Sequence, residues 1–139
     1  MSEYHTSVLL DESVSALVGS RTDGVYADAT FGGGGHTAEI LSRLSLDGSV
    51  LAFDRDMDAI GNRIDDPRLT LIRSDFRWIH NHVLNQSYSN GIDGVLADLG
   101  VSSHQFDTAE RGFSFRYEAP LDMRMNQEAT LTAADIVNN

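Results

Sequence analysis

The segment DATFGGGGHTAEIL, residues 28–41, sets four consecutive glycines between an apolar run and a helix-like run. Glycine at that density weakens a strand or a helix interior, so it serves either close approach to the backbone or a slack turn. Gly33, Gly35 and Ala38 fit G-x-G-x-x-G/A after a strand and at the opening of a helix. There backbone N–H groups at a helix start can meet a ligand. Four glycines satisfy many templates, and a flexible βα turn stays open as the plainer reading. No Gly-Lys-Ser/Thr follows, which disfavours a P-loop. Asp54 follows about twenty residues later, the place of a carboxylate that accepts from the ribose hydroxyls of an adenosine, in dinucleotides and S-adenosylmethionine alike. Its alternative is a solvated helix cap with Arg55 and Asp56. At 74–76, SDF puts polar groups beside a ring, which suits an adenine slot, although Phe76 fits a core stripe better. The segment ADLGVSSHQFD leads from Asp98 through Gly100 to the hydroxyls of Ser102 and Ser103, then His104 and Gln105. Such a set suits the place where a reacting group meets a cofactor, with His104 as a base or a plain surface residue. His5, His80 and His82 show no metal-ligand pattern, and no metal site is expected.

These groups need a scaffold, and the apolar runs supply one. VYADA (25–29), SVLAF (49–53), LTLI (69–72) and DGVLAD (93–98) read as buried strands. HTAEILSRL, MDAIGNRI and FRWIHNHVL read as the helices between them. Phe76, Ile79, Val83 and Leu84 form the apolar stripe of the last, and Asp54, Asp56 and Asp58 crowd the start of the second, where the helix dipole favours anions. SVLLDESVSALV (7–18) reads as a leading helix with Leu10, Val14 and Leu17 on one face. Alternation at this spacing predicts an α/β, Rossmann-like, parallel doubly wound sheet, with ligands outside the carboxyl ends of the strands. No repeat or linker breaks the pattern, so residues 1–139 read as a single domain.

The 139-residue chain has no cysteine, which excludes disulfides and thiolate metal sites. Its opening lacks the pattern of a signal peptide and no run reaches transmembrane length, so the expectation is a cytoplasmic protein without membrane contact. The net charge is −11, which argues against a broadly basic surface for nucleic acid. All cations are arginine. The local cluster Arg111, Arg116 and Arg124, interleaved with Glu110, Glu118 and Asp122, reads as a phosphate-contacting patch or a solvated mixed-charge loop.

In order along the chain stand HTSVLLDE, YADATFGGGGHTAEIL, DRDMDAI, DGVLADLGVSSHQFDTAERGFSF, PLDMRM and TAADIVN. Together they resemble the bacterial RsmH (MraW) family, 16S ribosomal RNA cytosine-N4 methyltransferases that use S-adenosylmethionine. The resemblance runs from His5 to the last residue. It implies a class I methyltransferase fold, here truncated to its first four strands, with S-adenosylmethionine as cofactor and 16S rRNA of the small ribosomal subunit as partner. It places Gly34, Gly35 and His36 in the cofactor loop, Asp54 at the ribose, Phe76 beside the adenine, and Asp98 and Gln105 around the methionine portion and the mouth of the site. His104 stands where the family usually has proline, which changes the stiffness of the loop leading to Gln105. Family members are also about twice as long. The chain therefore reads as an N-terminal half, truncated or naturally abbreviated, without most of the helical insert and the later strands.

The reaction implied is methyl transfer from a sulfonium to an exocyclic amine whose lone pair is delocalised into the base. It rests on positioning, on hydrogen bonds that localise that pair, and on an acceptor for the departing proton. Asp98 and Ser102 are the expected catalytic contacts to the amine. The RNA-facing stretch would be ERGFSFRYEAPLDMRM, where Phe113, Phe115 and Tyr117 alternate as stacking rings or plug the loop onto the sheet. Other readings are a non-catalytic cofactor-binding or assembly module of the same fold and, from the glycine turn and Asp54 alone, an NAD-dependent oxidoreductase. A Rossmann-like order would leave the fourth strand at a bare, apolar edge, from which a homodimer through that edge is expected.

Overall fold

A computed structural model of the chain describes residues 9–86, 88 and 90–138. His5 and the first residues expected in the leading helix lie outside that range. The elements are α1 (Leu10–Val18), β1 (Val25–Asp28), α2 (Gly35–Arg43), β2 (Ser49–Asp54), α3 (Met57–Ile60), β3 (Leu69–Arg73), α4 (Ile79–Asn85), β4 (Gly94–Leu96), α5 (Ser103–Asp107) and α6 (Ala133–Asn138). Short 3-10 turns at Phe76–Trp78 and Ala109–Arg111 precede α4 and follow α5. The strands form one parallel sheet in the order β3-β2-β1-β4, so the chain reverses its direction of growth between β1 and β4. This is the doubly wound arrangement expected from the alternating pattern. Among the described residues, no helix is long and apolar enough to cross a membrane.

Period-two alternation sends the two faces of each strand into different cores. Tyr26, Val50 and Leu96 pack with Val14 and Val18 of α1 and Ile40 and Leu41 of α2. Ala27, Leu51 and Phe53 face the other way and pack with Val83 of α4. The register Tyr26↔Val50 and Ala27↔Leu51 keeps each set on its own face. At the end of β1, Asp28 is fully buried and accepts from the Thr37 hydroxyl at 2.6 Å and from the Thr30 N–H at 3.1 Å. One carboxylate thus ties the first turn of α2 and the glycine turn to the strand.

Three segments differ from the sequence reading. The helix expected over MDAIGNRI stops after one turn, because Gly61 propagates a helix poorly and Asn62 donates its side-chain amide to the Asp58 carbonyl. The stripe expected over FRWIHNHVL divides: a 3-10 turn opens it, Val83 is buried, and Phe76 and Leu84 are about half exposed. Phe76 therefore sits at the sheet's carboxyl rim and not in the core. β4 is shorter than DGVLAD because it pairs with β1 over three residues only, and Asp98 lies beyond the ladder.

After Arg111 the chain turns sharply and comes back alongside itself, with the Met123 N–H donating to the Arg111 carbonyl at 2.9 Å. Gly112, at φ +69°, makes that turn possible. A Cβ there would overlap the Pro120 carbonyl oxygen and stand 2.7 Å from the Asp122 nitrogen, both backbone atoms. Gly112→Ala is expected to cost about 2 kcal/mol or more, from left-handed strain and backbone displacement together. Urea unfolding checks this, and an unchanged midpoint would contradict it.

Candidate functional site

Each strand ends by delivering polar groups to a common cavity of about 530 Å³, within the range of small-molecule sites. It opens at the point where the strand order reverses. β1 supplies Ala29 to Gly33 and, from the first turn of α2, His36; β2 supplies Asp54 and Arg55; β3 supplies Ser74, Asp75 and Phe76; β4 supplies Asp98 to Ser102. Gln105 of α5 and Met125 of the returning loop complete the lining. Backbone bonds hold the rims together. The Phe31 N–H donates to the Phe53 carbonyl and the Ala29 N–H to that of Leu96, and the Asp98 N–H donates to the Thr30 hydroxyl at 2.7 Å.

Asp54 organises the glycine turn as well as facing the cavity. Its Oδ2 accepts from the Gly32 N–H at 2.9 Å and its Oδ1 from the Asp56 N–H at 2.8 Å. Burial raises its pKa above the ordinary value, partly opposed by these donors. Asp75, at the end of β3, differs. Burial raises it, but the Arg77 N–H and the guanidinium groups of Arg77 and Arg55 outweigh that and hold its carboxyl below the ordinary value. Two carboxylates on neighbouring strand ends are thus set apart by their surroundings. Arg55 also donates to the Met125 sulfur at 3.3 Å, which ties the returning loop to the rim.

Of the residues expected at a cofactor, His36, Asp54, Phe76, Asp98 and Gln105 line this one cavity, together with Ser102, expected as a catalytic contact. Gly34 and Gly35 do not. Gly34 precedes α2 at φ +84° and packs tightly against Phe31 and Ile64, while Gly32 and Gly33 supply the glycine backbone in the wall. His36 and Gln105 are almost fully buried. Ser102 caps α5: its hydroxyl accepts from the Gln105 N–H, and the Gln105 side-chain oxygen accepts from the Ser102 N–H, both at 3.1 Å. Ser-x-x-Gln is the spacing of a capping box, and it is the signal in the sequence for this helix start.

The arginine cluster is corrected most. Arg111 is not a surface phosphate contact; it is buried, with Nη2 at 2.7 Å from Asp56 and Nη1 at 2.7 Å from Asp58. Arg116 pairs with Asp107, and Arg124 with Asp122 and the Ala129 carbonyl. These partners absorb the positive charge that composition alone left free. Of the alternating rings, Phe113 lies under the Arg111 guanidinium at 5.7 Å and Tyr117 beside that of Arg116 at 5.5 Å, while Phe115 is fully exposed. A ring so exposed does not plug the loop onto the sheet. His104 is paired too, its Nε2 3.2 Å from Asp58.

Residues 2–139 match the model of the MraW methylase family. The chain belongs to that family. Among curated relatives, the protein named ribosomal RNA small subunit methyltransferase H from Bacteroides fragilis is 56% identical over 135 residues, which are 97% of this chain and 44% of the relative. The relatives of the same name from Parabacteroides distasonis and Flavobacterium johnsoniae are 55% and 53% identical, each over 98% of this chain and 44% of its own length. This member of the MraW methylase family therefore spans somewhat less than half the length of the curated relatives it matches. The matched part holds the cavity and the strands β1 to β4 whose ends line it.

Proposed function

We propose that this chain carries the S-adenosylmethionine site of a methyltransferase acting on 16S rRNA of the small ribosomal subunit, at the N4 amine of a cytosine. The observation that carries the reading is the cavity itself. It joins a partly buried carboxylate at the end of β2, a half-exposed ring just past β3 and a further carboxylate just past β4, at the crossover point of a parallel sheet. The family match adds a methylase lineage to that geometry.

The residues suit the cofactor in kind. Asp54 would take the ribose hydroxyls, Phe76 with Ser74 and Asp75 the adenine, and Asp98, His36 and Gln105 the methionine end. Among the described residues, the lining carboxylates Asp54, Asp75 and Asp98, against the one arginine Arg55, suit a cationic ligand centre better than the pyrophosphate of a dinucleotide. Bound there, S-adenosylmethionine supplies an electrophilic methyl group on a sulfonium. The protein's part is to hold a splayed cytosine in line and to localise the amine's lone pair with an acceptor. Asp98 and Ser102 are proposed for that contact, with Asp98 taking the proton. Phe115, exposed beside Arg116, is the stacking surface proposed for RNA.

Titration calorimetry tests the cofactor: S-adenosylmethionine binds, and NAD does not. Transfer of a labelled methyl group to small ribosomal subunits tests the activity; binding without transfer would leave a cofactor-binding module. We also propose self-association of this chain through β4. Its outer edge has no strand partner among the described residues, and Val95 and Leu99 are exposed beside it. Light scattering behind size exclusion is expected to give a dimer at high concentration, and a clean monomer there would refute it.

A further inference from the structure

Arg111 and Asp56 do not line the cavity, yet three parts of its wall hang from them. The Asp56 N–H donates to Asp54, the carboxylate proposed at the ribose. The carboxylate of Asp56, 1% exposed, accepts from the Gln105 amide at 2.5 Å and from Arg111 Nη2 at 2.7 Å. Gln105 in turn fixes Ser102 through the capping box. The same Arg111 nitrogen donates to the carbonyls of Arg124 and Met125, at 3.0 and 3.1 Å, and Nη1 donates to Asp58. One guanidinium therefore joins the end of β2, the start of α5 and the returning loop. Apart from this joint, α5 and that loop are held by few buried apolar contacts, because both core clusters lie on the sheet faces. Burying the Asp56 carboxylate and the Arg111 guanidinium away from those cores is costly unless the geometry is required.

We propose that Arg111 is a positioning residue for cofactor binding: through Asp56 it sets Gln105, Ser102 and Met125 against the cavity. This rests on the cofactor reading above. The role needs an arginine, since a single ammonium cannot serve two carboxylates and two carbonyls arranged around a planar fork.

The experiment compares the full chain with Arg111→Met, Arg111→Lys and Asp56→Asn by hydrogen exchange and by S-adenosylmethionine calorimetry. In Arg111→Met, amides of residues 100–108 and 120–126 are expected to exchange faster, while those of β1 and β2 stay protected. Cofactor affinity is expected to fall at least tenfold. Arg111→Lys is expected to regain much of the melting temperature but not the affinity, a split that general stabilisation would not produce. Asp56→Asn, which keeps the shape, is expected to weaken binding several-fold. Faster exchange with unchanged affinity overturns the proposal, and so does exchange that does not change. Should Arg111→Met fail to fold, normal affinity in the other two variants overturns it equally. If the unmodified chain binds no S-adenosylmethionine, the cofactor reading fails, and unchanged exchange in the variants would independently remove the joint.

Discussion

Replacing Asp54 with alanine is expected to weaken S-adenosylmethionine binding by about 100-fold, which is about 3 kcal/mol and the low end for two hydrogen bonds to a carboxylate. The variant loses the proposed ribose acceptor and also the acceptor for the Gly32 and Asp56 N–H groups. The glycine wall therefore loosens together with the contact. Asp54→Asn keeps one acceptor oxygen and is expected to lose about tenfold, as befits a neutral acceptor in place of a charged one. Burial raises the pKa of Asp54. Only the ionised form accepts in both directions, so affinity should fall as the pH drops through that raised value and level off above it. Calorimetry across the acid range checks the trend, with circular dichroism as the control for folding. Affinity independent of both residue and pH would remove Asp54 from the site.

Asp28→Ala is expected to be the most damaging substitution for stability among these acidic positions, by about 3 kcal/mol. It leaves the Thr37 hydroxyl and the Thr30 N–H without their acceptor, and Thr37 is fully buried; each such loss costs about 1–3 kcal/mol. Asp28→Asn keeps the shape and one acceptor and is expected to cost about 1 kcal/mol. Burial raises the pKa of Asp28 in the folded chain, against the hydrogen bonds from Thr37 and Thr30. With the folded value above the unfolded one of about 3.9, the group contributes stability that is complete below that unfolded value. This contribution is lost as pH rises through the folded value. The gap between the natural chain and Asp28→Asn should therefore narrow as pH rises. Urea denaturation from acid to neutral pH measures it, and a gap that widens would contradict the assignment.

Much of the scaffold was legible because it depends on local pattern. Apolar runs of strand length, separated by helical periodicity, predict a parallel sheet, and a parallel sheet presents its strand ends together. Hence Asp54, Phe76 and Asp98, widely spaced in the chain, line one cavity. Phe76 shows the limit of periodicity. Its place in a helical stripe suggested the core, but a 3-10 turn at Asp75 rotates it to the rim. The glycines show the same limit. Their number announced a turn, but packing against Phe31 and Ile64 selects which of them face the cavity.

The amino-acid sequence by itself determined the alternating elements, the parallel sheet and the family, since short-range periodicity and contiguous motifs carry all three. Only the tertiary structure decided where the charges go. Arg111 had acidic neighbours in the chain, yet its partners are Asp56 and Asp58, more than fifty residues away. A buried ion pair is made by long-range closure, where desolvation excludes water and leaves each charge only the partners that the fold brings to it. No local pattern encodes that choice. It turns an apparent phosphate contact into the joint of the cavity, and leaves Phe115 as the most exposed ring of that segment.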